Sequence, residues 1–186
     1  MNPSCRPIAE LPSPVATMAR PSTVAVTVLA GALLLVAASG SASAQAFRAE
    51  RNISLELANQ LATATVAACR ANGHAVTATV VDRAGTVRAV QRADAAGPHT
   101  LAASERKAFT SASARNSTLA MMEASQKNPA AANLVHIPGY LLLGGGVPVR
   151  MGDEVIGAIG VGGAPGGHLD EQCAIAALEQ AREMLR

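Results

Sequence analysis

A single α+β domain is the fold class this sequence predicts, with a sheet of about five mostly antiparallel strands flanked by helices. Three observations predict it. Residues 54–72 and 170–186 carry apolar side chains at helical spacing, whereas residues 75–82 alternate as a strand does. The strands are joined by turns as short as Asp82-Arg83-Ala84-Gly85 and Gly152-Asp153, and such turns connect antiparallel neighbours. The chain has 186 residues, one domain's worth, with no internal repeat and no linker to a second domain.

The elements follow in the order α-β-β-α-α-β-β-β-α. The first helix puts Leu57, Leu61, Ala64 and Ala68 on one face, with Ser54 as N-cap, Glu56 in the first turn and Gly73 just past the end. Residues 75–82 set Val76, Ala78 and Val80 against Thr77, Thr79 and Val81, and pair with residues 86–92 as a hairpin. Pro98 starts an Ala- and Ser-rich helix over about 100–114. A short helix at about 118–126 follows, and Asn128-Pro129 ends it. Residues 140–143 and 147–151 read as strands on either side of Gly144-Gly145-Gly146, and residues 154–161 as another. Residues 170–186 form the last helix, with Ile175, Leu178, Arg182 and Leu185 near one stripe.

Composition removes several classes. Hydrophobic residues make up 49% of the chain, only 15% is charged and the net charge is +2, which no disordered chain would show. There is no Trp, one Tyr and two Phe, and no basic block, so neither stacking nor charge points to nucleic acid. Residues 24–38 form an uncharged apolar run after Arg20, followed by the small-residue pattern Ala42-Ser43-Ala44. This is the layout of a secretory signal peptide, and the run is short for a membrane span. Export with cleavage after Ala44 is therefore expected, with Met18 as an alternative start and residues 45–186 as the mature periplasmic or extracellular domain. Removing Arg6, Glu10 and Arg20 takes the net charge to about +1, too little to capture polyanions or anionic lipid. Cys69 and Cys173 remain; both lie in Ala-rich helical stretches and read as two buried free thiols, with pairing the alternative.

Several stretches in one order resemble the GlcG/HbpS family, which includes the C-terminal domain of PduO-type proteins. They are Val81-Asp82-Arg83-Ala84-Gly85, Arg92-Ala93-Asp94-Ala95-Ala96, Lys107-Ala108-Phe109-Thr110, Pro138-Gly139-Tyr140, Gly144-Gly145-Gly146-Val147-Pro148, the run from Val155 to Val161, and Asp170-Glu171-Gln172-Cys173-Ala174. The resemblance spans about residue 53 to the C-terminus. It implies a five-stranded antiparallel sheet, a homo-oligomer, and binding of haem, with a corrinoid as a further possibility. Where the family commonly has Ser-Gly, this chain has Val161-Gly162-Gly163.

No two of His74, His99, His136 and His168 have the spacing of paired metal ligands on a helix. A haem iron needs only one or two axial donors, so single histidines remain candidates. His99, after Gly97-Pro98 at a helix start, is the preferred axial donor, and its alternative is a solvated loop residue. His168 lies in a glycine-rich loop two residues before Asp170, which can fix its tautomer; a helix-cap position is the alternative. His74 ends a helix and His136 sits in a loop. Arg92 and Lys107 suit propionates, against the alternative of a salt bridge from either to Asp94. Thr110 is a hydroxyl donor or a packing residue, and Gly144, Gly145 and Gly146 form a ligand wall or a close backbone approach.

The glycines are no P-loop, because Val147-Pro148 follows them, and neither a G-x-S-x-G elbow nor a C-x-x-C-H haem-attachment motif occurs. The reading is an exported, non-covalent binding protein for haem, acting in haem handling or redox-linked sensing. The alternatives are an enzyme acting on a small carboxylate, with Lys107 or His99 as acid/base, and an oligomeric scaffold without a ligand.

Overall fold

The computed structural model describes residues 47–186, and the expected signal region lies outside them. Among the described residues no helix is long and apolar enough to cross a membrane. Residues 49–186 form one compact unit.

Helix α1 (Leu55–Ala71) begins where the sequence places its cap: the Ser54 hydroxyl accepts the Leu57 N–H at 3.2 Å. It ends at Asn72 and Gly73, and Gly73 takes the left-handed φ of 78° that a helix stop needs. Strands β1 (Thr77–Asp82) and β2 (Val87–Arg92) form the hairpin, and one Asp82 carboxylate oxygen accepts the N–H groups of Ala84 and Thr86 in its turn. Helices α2 (His99–Ala114) and α3 (Thr118–Lys127) follow, then a 3-10 helix (Pro129–His136). Strands β3 (Gly146–Met151) and β4 (Glu154–Gly162) form a second hairpin, and α4 (Gly167–Gln180) leads to a terminal 3-10 turn (Arg182–Leu185).

The sheet order is β2-β1-β4-β3, antiparallel throughout. Among the described residues it has four strands, not five. Residues 140–143 run beside α2 without joining the sheet, because side chains take their backbone groups. Leu141 N–H donates to Thr110 Oγ1 at 2.8 Å, Arg106 donates to the Tyr140 carbonyl, and Thr118 Oγ1 donates to the Leu143 carbonyl at 2.7 Å. The last helix is also shorter than expected, ending at Gln180.

Two unlike layers cover the sheet. One face carries the main apolar core, in which Leu57 and Leu61 of α1 and Ala174 and Ala177 of α4 pack on Val80, Val149, Ile159 and Val161. The other face meets α2 through small and polar groups: Thr77 Oγ1 and Thr100 Oγ1 lie 2.6 Å apart, and Thr79 Oγ1 and Ser104 Oγ 2.7 Å. The alternation in β1 has its explanation here, since both of its faces are buried.

The free-thiol expectation is corrected by the core. Cys69 and Cys173 form a disulfide between α1 and α4, with a Cα–Cα distance of 5.3 Å. Each lies on the inward face of its helix, and those faces pack on one another.

Candidate functional site

Helix α2 approaches β4 closely because both are built from small residues. A Cβ at Gly160 would fall on the Ser104 carbonyl and the Ala108 N–H, so only glycine admits the helix there. One long side chain sits inside this contact. Lys107 is 2% exposed and points into the layer between α2, β4 and α4.

Its ammonium donates to Asp170 Oδ2 and to the Val161 carbonyl, both at 2.8 Å. The other Asp170 oxygen accepts the Ala164 N–H at 3.0 Å, which anchors the loop between β4 and α4. Burial pushes the Asp170 carboxyl above its ordinary range, and the Lys107 ammonium beside it works in the opposite direction. The sequence suggests a propionate for Lys107, with a salt bridge from Arg92 or Lys107 to Asp94 as the alternative, and the observed partner is Asp170. The same pairing occupies the carboxylate that was expected to orient His168.

The three glycines close over this ion pair. A Cβ on Gly145 would stand 2.7 Å from Asp170 Cβ and 3.0 Å from Lys107 Nζ, and Gly146 lies against the Lys107 carbonyl and Thr118. Gly144 packs on Gly167 and Leu119. The protein itself fills the space that three missing side chains leave. Thr110 is engaged as well, donating to the Arg106 carbonyl at 2.7 Å while accepting from Leu141.

His99 and His168 are exposed at the starts of α2 and α4, each with its ring folded back over a preceding glycine, Gly97 or Gly166. His136 is exposed at the end of the 3-10 helix. Arg92 ends the edge strand β2, paired with Thr77, and donates to the Ala96 carbonyl. Strand β1 stands between β2 and β4, whose Val161 carbonyl holds Lys107, and Lys107 pairs with Asp170 rather than sharing a partner with Arg92.

Arg92 instead lines a groove of about 530 Å³ at the end of the sheet, with Arg70, His74 and Asp94 as its other ionisable groups. Val66, Ala75, Ala93 and Ala95 supply apolar wall. His74 is half-buried, and its N–H donates to the Cys69 carbonyl at 3.0 Å. A larger groove of about 670 Å³ between α1 and α4 has neither a cation nor an imidazole in its lining. Chemistry therefore favours the smaller one. Arg70 and His74 as a pair were not apparent from spacing. The available signal was the helix stop at Gly73, which leaves both residues at one end of α1.

The family model for "Haem degrading protein HbpS-like" matches residues 53–179. The chain belongs to the HbpS-like family. Among solved structures, HbpS is 38% identical and covers 73% of this chain and 94% of its own, with a TM-score of 0.68. Klebsiella pneumoniae ORFY is 30% identical, over 72% of this chain and 93% of its own, with a TM-score of 0.68. A PduOC:haem complex is 21% identical, over 69% and 94%, with a TM-score of 0.62, a likeness that shows the shared fold alone. No curated protein matches the sequence.

For this HbpS-like chain, the groove suits a flat, amphipathic dianion. Its volume lies within the roughly 300–1,000 Å³ range of small-molecule sites. An imidazole is an iron donor, two guanidinium groups complement carboxylates, and alanine and valine walls suit a ring face. Aromatic stacking has no part, since the lining has no aromatic ring besides the imidazole.

Proposed function

We propose that the chain is an exported, non-covalent haem-binding protein that acts in haem handling or redox-linked sensing. The groove lined by Arg70, His74 and Arg92 carries this reading, and membership of the HbpS-like family supports it. His74 would donate to the iron, Arg70 and Arg92 would take the propionates, and Val66 and Ala75 would exclude water from the ring face. Bound haem supplies a redox-active iron. His99 opens α2 at the same end of the sheet and is the second candidate donor. The reading includes cleavage after Ala44 and self-association; Val87 and Val90, exposed on the edge strand β2, support the latter.

Haemin titration of the purified chain tests it. A saturable Soret shift is expected, weakened at least about tenfold by His74→Ala. The Arg92→Ala variant should weaken it by about 1.5–3 kcal/mol, the range of a charge-assisted contact. No saturable shift would overturn the reading. A shift weakened by His99→Ala and untouched by His74→Ala would move the donor to α2.

The carboxylate-enzyme alternative gains nothing from the geometry. Of its two expected acid/base groups, Lys107 is 2% exposed and held by Asp170 and the Val161 carbonyl, and His99 is exposed at the start of α2.

A further inference from the structure

The groove is built on the residues that immediately follow a buried disulfide. Cys69 is 0% exposed and Cys173 3%. The Cys69 carbonyl accepts the N–H groups of Asn72 and His74, both at 3.0 Å, and Arg70 is the next residue along the chain. Two of the backbone hydrogen bonds that hold the wall from residue 70 to residue 75 therefore end on the Cys69 carbonyl, with Gly73 N–H on the Arg70 carbonyl beside them, and the bond to α4 holds the residue that carries it.

Helix α4 reaches the same wall a second time. Asp170, one turn before Cys173, anchors Ala164. The neighbouring Gly163, at φ 136°, lies so close to the Ala75 carbonyl and Val76 Cα that a Cβ would stand 2.5 Å and 2.9 Å from them. Besides Cys173, the apolar side chains that α4 buries are the small ones of Ala174 and Ala177. Such side chains bury little apolar area each.

We propose that the Cys69–Cys173 bond positions the His74 wall and so sets the affinity of the groove for its ligand. The part concerning affinity rests on the groove reading above. Two-electron reduction by a dithiol then weakens binding. A thiolate of the reductant attacks one sulfur and breaks the S–S bond, giving a mixed disulfide; its second thiolate expels the other cysteine. The reductant leaves as a disulfide, and the two cysteine thiolates take protons from solvent. Because neither sulfur is accessible, reduction requires opening of the contact between α1 and α4 and is slow. By linkage, a ligand that prefers the oxidised form makes the bond harder to reduce by the same factor.

Two measurements decide it. Amide hydrogen exchange of the ligand-free chain, oxidised and after dithiothreitol, should show Asn72 and His74 accelerated by reduction at least about tenfold more than the α2 amides, which report only the global loss of stability. Haemin titration of the thiol-free Cys69→Ala/Cys173→Ala variant, with far-UV circular dichroism as a check on folding, should give an affinity at least about tenfold below that of the oxidised wild type. Acceleration at Asn72 and His74 no greater than that of the α2 amides, or a folded variant with wild-type affinity, overturns the proposal. If the oxidised chain fails to bind haemin, the groove reading falls, and the exchange measurement alone decides the positioning role. If the variant does not fold, the reduced wild type supplies that same readout.

Discussion

Lys107 illustrates how much one residue can organise when it has no solvent. Its ammonium and the Asp170 carboxylate compensate one another, and between them they fix the Val161 carbonyl and the Ala164 N–H. Replacing only one partner leaves a buried charge without its counterpart. Lys107→Met should cost about 3–5 kcal/mol in urea unfolding, and adding Asp170→Leu should recover most of that loss. A loss below about 1 kcal/mol for the single variant would mean that water reaches the pair. The pH dependence follows from the raised Asp170 pKa. Between 3.8, the ordinary value, and the raised one, the folded chain holds the proton that the unfolded chain has released. This carboxyl's stabilising contribution is complete below the ordinary value and is lost as pH rises through the raised one. Asp170→Asn should remove that downward slope, which urea titrations of both proteins from about pH 4 upward will show.

At the scale of elements, α2 meets the sheet through a seam of hydroxyls rather than a stripe of large apolar groups. Thr77 with Thr100 and Thr79 with Ser104 face each other across the contact, and Gly160 lets the helix come close enough for them to meet. Helix α2 is accordingly weakly amphipathic in sequence, although Thr100, Ser104, Lys107, Ala108 and Ser111 are all buried. Thr79→Val alone removes the donor to Ser104 Oγ, whose own proton stays on the Leu101 carbonyl, and should cost about 0.5–1.5 kcal/mol. The double variant Thr79→Val/Ser104→Ala should cost less than the two single losses together, in a double-mutant cycle read by chemical denaturation. Additive losses would show that the two hydroxyls act independently. The loop at residues 140–143 obeys the same logic. Thr110, Arg106 and Thr118 supply the hydrogen bonds that a fifth strand would have taken from the sheet.

For the molecule as a whole, the disulfide joins residues 104 apart in sequence and closes about three quarters of the domain into one loop. Cleaving it should lower stability by about 2–5 kcal/mol, seen as a lower melting temperature in the presence of reductant. An unchanged melting temperature after confirmed reduction would mean that the packing of α1 on α4 suffices. The two layers also differ in what they permit. The face under α1 and α4 is apolar and supports the sheet, whereas the end of the sheet beside α1 gathers Arg70, His74 and Arg92 around a groove. The family match and the four-stranded sheet agree with the sequence-level resemblance, apart from the strand count.

Local patterns alone determined where the first helix begins and ends, where the hairpins turn and which residues of β1 share a face. Ser54, Gly73, Asp82 and Gly85 act on backbone within a few residues, so their meaning can be read in order along the chain. The family resemblance was legible for a related reason, since the glycines and alanines that let α2 lie on β4 stand in fixed sequence. Partners were not legible. Lys107 finds Asp170 63 residues away, Cys69 finds Cys173 104 away, and His74 shares its groove with an arginine on the far edge of a hairpin. Spacing restricts which residues can share a helix face. Which charge is desolvated beside which, and which thiol lies within bonding distance, is decided by packing, because burial and pairing energies depend on the whole surroundings of a group.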